Sequence, residues 1–231
     1  MPRRRVEQSS DEPVAGRKRG PRAGTSREAI IEGAWALAMR EGFEALTMRA
    51  VASELGIGAM TPYTYFRARE ELIAALLDEV LGTIPLELPE AAWAVRLEAL
   101  VRAHHDALLR FPSAIPHLLS TPMTGPKAAV FAEVLMQVLH DGGLVAEDVV
   151  GGFFALAGMN YGFASFESRR MNAPPEGAAQ TRATLLTLPP EQFPLTIEVA
   201  TQLANFARTG ADYDFALSSM IAGLSARATS N

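Results

Sequence analysis

The 231-residue sequence has no cysteine. This absence excludes a disulfide framework, thiol catalysis and redox sensing through cysteine, and it fits a reducing compartment. Long hydrophobic runs are also missing: the longest, residues 149–159, is too short to cross a bilayer. The N-terminus is polar and rich in arginine and lacks the apolar segment of a signal peptide. We therefore expect a cytoplasmic protein without a membrane partner.

Runs of β-branched residues are scarce, whereas alanine, leucine and glycine are abundant. Apolar residues recur at helical spacing through nearly the whole chain, which predicts an all-α fold. A chain of this length can form one or two domains with a sizeable core. No internal repeat is evident.

The net charge of −5 conceals an asymmetry along the chain. Residues 1–69 hold twelve Lys/Arg and eight Asp/Glu, whereas residues 70–231 hold nine and eighteen. A chain with a nucleic-acid-binding segment at one end and a domain of different function at the other would show this pattern. Residues 1–24 have few large apolar side chains and are predicted to be a disordered basic tail. The tail either follows DNA phosphates or only solubilises the chain.

Residues 46–72 carry the pattern on which the functional prediction depends. Thr47 is predicted to cap a short helix that ends at Gly56, because glycine adopts left-handed backbone angles at little cost. A second short helix is predicted from Ala59 or Thr61 to Phe66. Its side chains are mostly small or hydroxylated, which suits contact with a close polar surface. A helix, a glycine turn and an exposed second helix predict a helix-turn-helix unit that reads a DNA major groove.

Other helices follow from apolar spacing and from proline and glycine at their ends. The first is predicted to open with a capping box at Thr25 and Glu28. A mobile loop is predicted at residues 171–188. The helix over residues 147–170 is apolar nearly all round, so it should be buried on several sides. The remaining predicted helices cover residues 69–82, 90–110, 126–141, 189–208 and 212–226, with a short irregular piece at 113–119.

Two parts of the sequence resemble a known family. Over about residues 27–81 the chain resembles the DNA-binding domain of TetR-family transcriptional regulators, and the matching residues are Thr47, Ala52, Leu55, Gly56, Ile57, Thr61, Tyr63, Phe66, Glu70 and Leu72. More loosely, residues 104–110, 116–118 and 213–224 resemble the ligand-binding domain of the tetracycline-repressor branch. The resemblance implies a three-helix helix-turn-helix domain at residues 25–69 and a larger helical domain for effector binding and dimerisation at 70–231.

The resemblance also implies which residues contact double-stranded operator DNA. Phosphate contacts are expected from Thr47, Tyr63 and Arg69, which position the protein, and a guanine contact from Arg49. Pro62 replaces the family's usual leucine, so the recognition helix is expected to start late. Packing within the small domain is the alternative role of the two tyrosines. The full predicted set is Thr47, Arg49, Ala59, Met60, Thr61, Tyr63, Thr64, Tyr65 and Arg69.

A pocket for a small effector is expected in the second domain. The residues expected to line it are mostly apolar or aromatic, which suggests a ligand of the same character. For each of these residues by itself, packing in the core is the alternative role. His117 aligns with a metal-ligating histidine of the tetracycline repressor but lacks the oxygen partners, so neither a metal nor a cofactor is expected. The predicted lining residues are Leu100, His104, His117, Phe131, Leu135, Asn160, Tyr161 and Phe163.

The apolar helix at 147–170 and the last helix carry more apolar surface than one small bundle can hide. The resemblance implies that they pair with their copies in a homodimer as a four-helix bundle. The predicted function is therefore a ligand-responsive repressor that binds a palindromic operator and is released by its effector. An alternative, suggested by His105-Asp106, is a helical metal-dependent phosphohydrolase. That reading requires further histidine and carboxylate ligands.

Overall fold

A computed structural model describes residues 25–121, 125–171, 174, 176–206, 208 and 210–228. The predicted basic tail at residues 1–24 lies outside this part of the chain. The described residues form helices and contain no strand, as the all-α prediction requires. The helices are α1 (Arg27–Glu41), α2 (Met48–Glu54), α3 (Arg69–Gly82), α4 (Trp93–Arg110), α5 (Ile115–Ser120), α6 (Pro126–Asp141), α7 (Ala146–Met171), α8 (Glu176–Leu185), α9 (Pro194–Glu198), α10 (Ala200–Asn205) and α11 (Ala211–Ala228).

The first two helices are capped by hydroxyl side chains. The Ala29 N–H donates to Ser26 Oγ at 3.1 Å, so Ser26 caps α1 and the predicted capping box beginning at Thr25 is wrong. The Ala50 N–H donates to Thr47 Oγ1 at 3.0 Å, which confirms the predicted cap of α2. Each cap satisfies an N–H that has no partner inside its helix.

The chain turns sharply after α2. Gly56 has a φ of +62°, in the left-handed region that disfavours side chains with a Cβ. The Ile57 N–H then donates to the Ala52 carbonyl at 3.0 Å, closing the turn. The segment that follows is shorter than the predicted recognition helix: only Pro62–Thr64 forms a 3-10 turn. The late start predicted from Pro62 is confirmed, whereas a helix starting at Ala59 is not present.

One core joins these N-terminal elements to the rest of the molecule. We call residues 25–69 the head. Phe66, just after the 3-10 turn Pro62–Thr64, is fully buried in the head, under the Arg27 guanidinium. The same buried cluster includes residues from α3, α4 and α5, such as Leu76, Leu108 and Ile115. The head is therefore packed directly on the larger domain rather than tethered to it.

The larger domain is built around α7, which packs against α4, α6 and α11. Its core is a second cluster of apolar side chains from these helices and from α3. By length and composition α7 could cross a membrane, although no single apolar run is that long. Glycine and alanine extend its apolar character over 26 residues. Its buried residues, which include Leu156 and Asn160, form one stripe, so the prediction of burial on several sides is not met within one chain.

Two segments differ from the prediction. The loop predicted at residues 171–188 contains the helix α8. The single helix predicted at 189–208 starts only at Pro194 and is divided at Val199 into α9 and α10. None of the residues of α8 and α9 is buried, and α8 packs on α10.

Candidate nucleic-acid interface and effector site

Four large or polar side chains of the head face outward from the helix-turn-helix unit. Arg49 and Thr47 are exposed on α2. Met60 and Tyr63 are 73 % and 47 % exposed on the turn that follows. Thr61 is partly buried, and the others predicted to face DNA, Ala59 and Thr64, are exposed. Nothing in the head covers this surface, which we call the reading surface.

Two predicted DNA contacts have internal partners instead. Arg69 donates from Nε to the Leu46 carbonyl and from Nη2 to the Phe43 carbonyl, the latter at 3.3 Å. Tyr65 donates its hydroxyl proton to the Thr25 carbonyl at 2.5 Å and packs on the head core. These hydrogen bonds hold the head together, and for Tyr65 they match the alternative role of packing within the small domain.

The positive charge of the N-terminal end lies in the tail rather than in the head. Residues 25–69 carry five Lys/Arg and five Asp/Glu, whereas residues 1–24 carry seven and three. Within the head, Arg40 also pairs with Glu54 at 2.7 Å. Arg49 and the segment before residue 25 thus supply charges that DNA phosphates or bases attract.

A polar contact links the head to the larger domain. The Phe43 N–H donates to Ser113 Oγ at 3.3 Å, just before α5. His117 of α5 lies beside the Phe43 ring, with centroids 5.9 Å apart, and its Nε2 is 3.6 Å from Glu44 Oε1. The structure therefore places His117 at this junction.

A second link runs from α3 to α6. The carboxylate of Asp78, on α3, accepts from the Ala128 N–H at 2.8 Å and from the Lys127 N–H at 3.3 Å. The residue before α6, Gly125, has no side chain to cap the helix, and a Cβ there would lie 2.2 Å from the Asp78 carboxylate. Asp78 thus caps a helix of the effector domain from the helix that follows the head.

The centre of the larger domain holds a buried hydrogen-bond network. Asn160 of α7 is fully buried. Its Nδ2 donates to the Val101 carbonyl at 2.8 Å and lies 3.1 Å from His104 Nδ1. Its Oδ1 accepts from the Tyr213 hydroxyl at 3.0 Å. The network ties α4, α7 and α11 together.

Aromatic rings surround His104. The ring centroid of Phe131 lies 4.9 Å away and that of Tyr161 lies 5.6 Å away, edge-on. His104 is only 2 % exposed. Burial lowers the pKa of its imidazole to about 4, with a smaller contribution from His105. The same burial raises the pKa of the Tyr161 hydroxyl. The structure thus brings together His104, Phe131, Asn160 and Tyr161 of the predicted effector set.

The other predicted effector residues do not line an open site. Leu100 and Leu135 are buried in the core, which is the packing alternative for both. Phe163 contacts the rings of Tyr213 and Phe206, at 5.7 and 5.9 Å. None of the eight predicted residues lines either cavity described below. The structure brings four of the predicted residues into one buried aromatic cluster, and their role in binding an effector stays a prediction.

Sequence reasoning missed a second polar cluster beside the first. The His105 ring stacks on Tyr213 at 3.9 Å, and its Nε2 lies 3.7 Å from Glu167 Oε2. Burial lowers the pKa of His105 to about 4. Burial, and then the nearby carboxylates of Asp212, Asp214 and Asp106, raise the pKa of Glu167. A carboxylate at the end of the apolar part of α7 was the available signal.

Two cavities lie away from these clusters. One, of about 500 Å³, lies between α1, α3 and the start of α6, and it is lined by charged side chains that include Arg27, Glu71 and Lys127. The other, of about 380 Å³, is a groove between α7 and α11 with Gly151, Gly223 and Met220 in its walls. In the described part of the chain, no three His, Asp or Glu side chains are grouped so that they could hold a metal ion.

The outer face of α7 and α11 is apolar and uncovered. Val150, Phe154 and Phe166 on α7 are exposed, and so is Phe215 on α11. Gly158 and Gly162 share that stripe of α7, and an added Cβ at either would meet nothing within 4 Å. A large exposed apolar patch in a folded protein usually marks a binding surface.

Two family models match the chain. The model described as "Bacterial regulatory proteins, tetR family" matches residues 30–76, and that described as "Tetracyclin repressor-like, C-terminal domain" matches residues 84–228. The HTH-type transcriptional repressor DrrR1 of Streptomyces coeruleorubidus is 32 % identical over 148 residues. That alignment covers 63 % of this chain and 55 % of DrrR1, so the chain spans about half the length of this relative. An HTH-type transcriptional regulator of Saccharopolyspora erythraea is 24 % identical over 208 residues, covering 88 % of this chain and 86 % of that protein.

Solved structures show the same architecture. ActR of Streptomyces coelicolor in complex with actinorhodin superposes with a TM-score of 0.83 and 26 % identity, covering 89 % of this chain and 99 % of ActR. Apo ActR gives a TM-score of 0.82 with 25 % identity, and covers 89 % of this chain and 97 % of that one. The models cover both the head and the larger domain, and the folds agree. The chain therefore belongs to the TetR family of bacterial transcriptional regulators.

Proposed function

We propose that this protein is a cytoplasmic, ligand-responsive transcriptional repressor that binds a near-palindromic operator as a homodimer. Its effector is a small, largely apolar or aromatic molecule that releases the protein from DNA. The repressor DrrR1 and the ligand-bound ActR support this assignment by similarity. In the proposal, residues 25–69 read DNA and residues 70–231 bind the effector and the second subunit. The phosphohydrolase alternative is set aside, because the family consists of regulators and not enzymes.

The main support for the proposal is that the residues of the reading surface are exposed. Met60 and Tyr63 stay exposed although Phe66, three residues further on, is fully buried. Arg49 lies exposed on the preceding helix, next to the same turn. On a duplex, Arg49 would reach a guanine edge and Met60 a thymine methyl group.

The uncovered face of α7 and α11 supports the homodimer. Phe154 and Phe215 are exposed in one chain, and a second copy would bury both across a two-fold axis. Two heads would then meet successive major grooves roughly 34–36 Å apart. The spacing of the heads would depend on how α3 sits on the larger domain. The Asp78 cap of α6 is the contact through which a ligand near α6 would bias that position, as a population shift.

Substitutions at Tyr63 and Tyr65 test the proposed DNA contact. The operator for the measurement is first selected from random duplex DNA with the original protein. Tyr63→Phe removes an exposed hydroxyl that in the proposal donates to a phosphate. Operator affinity should fall about tenfold, the worth of one hydrogen bond to a charged group. Thermal stability should not change. Fluorescence anisotropy with labelled operator measures the affinity.

Tyr65→Phe is the matched control. Its hydroxyl bonds the Thr25 carbonyl, so its loss should lower the free energy of unfolding by about 1 kcal/mol. Operator affinity of the folded protein should stay within about twofold of the original, on the same principle. Equal losses of affinity in both variants, or a loss in Tyr65→Phe alone, would show that the reading surface is misassigned.

A further inference from the structure

The cavity of about 500 Å³ between α1, α3 and the start of α6 has apolar walls and a charged rim. Its walls include Ile31, Ala75 and Leu77. Four carboxylates line it against two cationic side chains, which is an excess of two negative charges. These charged residues are Glu28, Glu71, Asp78, Glu79, Arg27 and Lys127.

The two cations of the cavity have partners of their own. Arg27 lies over an aromatic ring of the head, 4.7 Å from its centroid, and Lys127 pairs with Glu79. Glu28 and Glu71 are exposed at the rim. Neither forms an ion pair with another described residue. Two negative charges therefore stand beside an apolar wall and can accept cations from outside the described part of the chain.

The segment of the chain that precedes α1 has the complementary chemistry. Residues 13–24 contain four Lys/Arg and no Asp/Glu, whereas residues 1–12 contain three of each. The positive excess of the tail thus lies wholly in its second half, at Arg17, Lys18, Arg19 and Arg22. Long basic side chains bury their aliphatic stems along apolar surface and keep their charged ends near the rim, which suits a cavity of this kind.

The same segment is attached at the edge of the cavity. Arg27, which lines the cavity, is five residues after Arg22, a stretch that spans at most about 18 Å. A segment tethered so closely has an effective concentration on the order of millimolar. Contacts too weak to hold a free peptide can therefore hold this one.

We propose that residues 17–22 dock on their own chain in this cavity, with their cationic ends at Glu28 and Glu71. The acidic rim repels phosphate, so a docked segment is withheld from DNA. The docking itself does not depend on the function proposed above, whereas its effect on DNA binding rests on that function. The tail thus has two competing partners, the DNA backbone and the junction of α1, α3 and α6.

A spin label on the full chain tests the docking without DNA. The sequence has no cysteine, so Ala15→Cys gives one attachment site next to the docking segment. The label should enhance the relaxation of the amide protons of Ala75 and Ala128, which line the cavity. The enhancement should decrease at 1 M salt, where the screening length is only about 3 Å.

Two double variants with the same change in net charge separate docking from simple proximity. In Glu28→Gln with Glu71→Gln the enhancement should fall at least about twofold, because each exposed ion pair is worth a factor of about 1.4 to 5. Glutamine at position 71 can still accept from the Arg67 N–H, as Glu71 does at 2.8 Å. Glu32→Gln with Glu70→Gln alters exposed carboxylates of the same two helices outside the cavity and should keep the enhancement.

A second pair of variants locates the docking segment within the tail. Arg17→Gln with Arg19→Gln should lower the enhancement at least about twofold, on the same estimate. Arg3→Gln with Arg5→Gln removes as much charge and should leave it unchanged. Equal enhancement in both members of either pair would overturn the proposal. So would an enhancement that arises only between chains, in a mixture of spin-labelled and isotope-labelled protein.

Duplex DNA of random sequence tests whether docking withholds the tail. Glu28→Gln with Glu71→Gln should bind it about twofold more tightly than Glu32→Gln with Glu70→Gln at the same salt concentration, because more of the tail is free. Equal affinities would overturn the competition between the two partners. Docking in a protein that binds no DNA would contradict the function proposed above and would leave the docking itself supported.

Discussion

At the scale of the residue, burial of His104 links its charge to the stability of the fold. Its pKa is about 4 in the folded protein, against 6.5 for an exposed histidine. Between these pH values the unfolded chain takes up a proton that the folded chain excludes. The free energy of unfolding therefore falls as the pH falls through this window, and it is independent of this group above pH 6.5.

We expect urea denaturation at a series of pH values to show this loss of stability. The shift of His104 corresponds to about 3 kcal/mol between pH 6.5 and 4, and His105, whose pKa is also lowered, adds to the effect. His104→Gln should flatten the slope, because glutamine does not titrate. His140→Gln, at an exposed position, should keep it. Stability that rises on acidification, or a slope unchanged in His104→Gln, would contradict the assigned burial.

Residue identity alone did not separate the exposed residues of the head from those with internal partners. Tyr63 and Tyr65 are two positions apart, yet one hydroxyl is exposed and the other bonds the Thr25 carbonyl, 40 residues away in the chain. Arg69 likewise donates to carbonyls more than 20 residues earlier. These partners depend on how the helices pack, which the local pattern does not contain. The Thr47 cap and the Gly56 turn are local, and the sequence predicted both.

At the scale of the element, α6 depends on a cap from another helix. Asp78 of α3 accepts from two N–H groups at the start of α6. Because α3 follows the head directly, this carboxylate connects the reading surface to a helix that carries Phe131 of the aromatic cluster. The contact stabilises the start of α6, and in the proposed function it is also the path by which the effector domain acts on the head.

Asp78→Ala should lower the free energy of unfolding by about 1–2 kcal/mol, since it leaves the first N–H groups of α6 without their acceptor. Glu79→Ala is the matched control on the same helix. Glu79 pairs with Lys127 at a partly exposed position, and its loss should cost less than about 1 kcal/mol. Thermal and urea denaturation measure both. Equal losses of unfolding free energy in the two variants would show that Asp78 does not stabilise α6 as a cap.

The elements that the sequence predicted poorly are those with no buried stripe. Helix α8 buries none of its residues, so its sequence lacks the apolar periodicity from which a helix is predicted. Pro62 lacks the N–H that would extend a helix backward, so the 3-10 turn Pro62–Thr64 starts there. The local pattern does not explain why the turn ends at Thr64. Helices with a clear inner face, such as α3 and α4, begin and end within a few residues of their predicted limits.

At the scale of the whole molecule, charge and apolar surface are divided between the two ends. The head of residues 25–69 has no net charge, and the positive excess lies in residues 1–24. The larger domain exposes the apolar stripe of α7 and α11. In the proposed dimer, the stripe sets the distance between two heads, and the tail adds phosphate attraction that weakens with salt.

Phe154→Glu should convert the dimer to a folded monomer, because Phe154 is 67 % exposed in one chain and would be buried in the pair. Sedimentation at micromolar concentration measures the mass, and circular dichroism measures the fold. Val130→Glu, at a 52 % exposed position of α6, should remain dimeric. A dimer that survives Phe154→Glu, or an original protein that is monomeric, would show that the stripe is not the interface.

The spacing of half-sites in selected DNA tests the central claim most directly. The full chain is used to enrich binding sequences from random duplexes, which are then sequenced. Two inverted half-sites with centres one helical turn apart, about 10 base pairs, or a multiple of that spacing, are the predicted result. A single half-site, direct repeats, or no enrichment would contradict a dimer that reads DNA with the turn bearing Met60 and Tyr63.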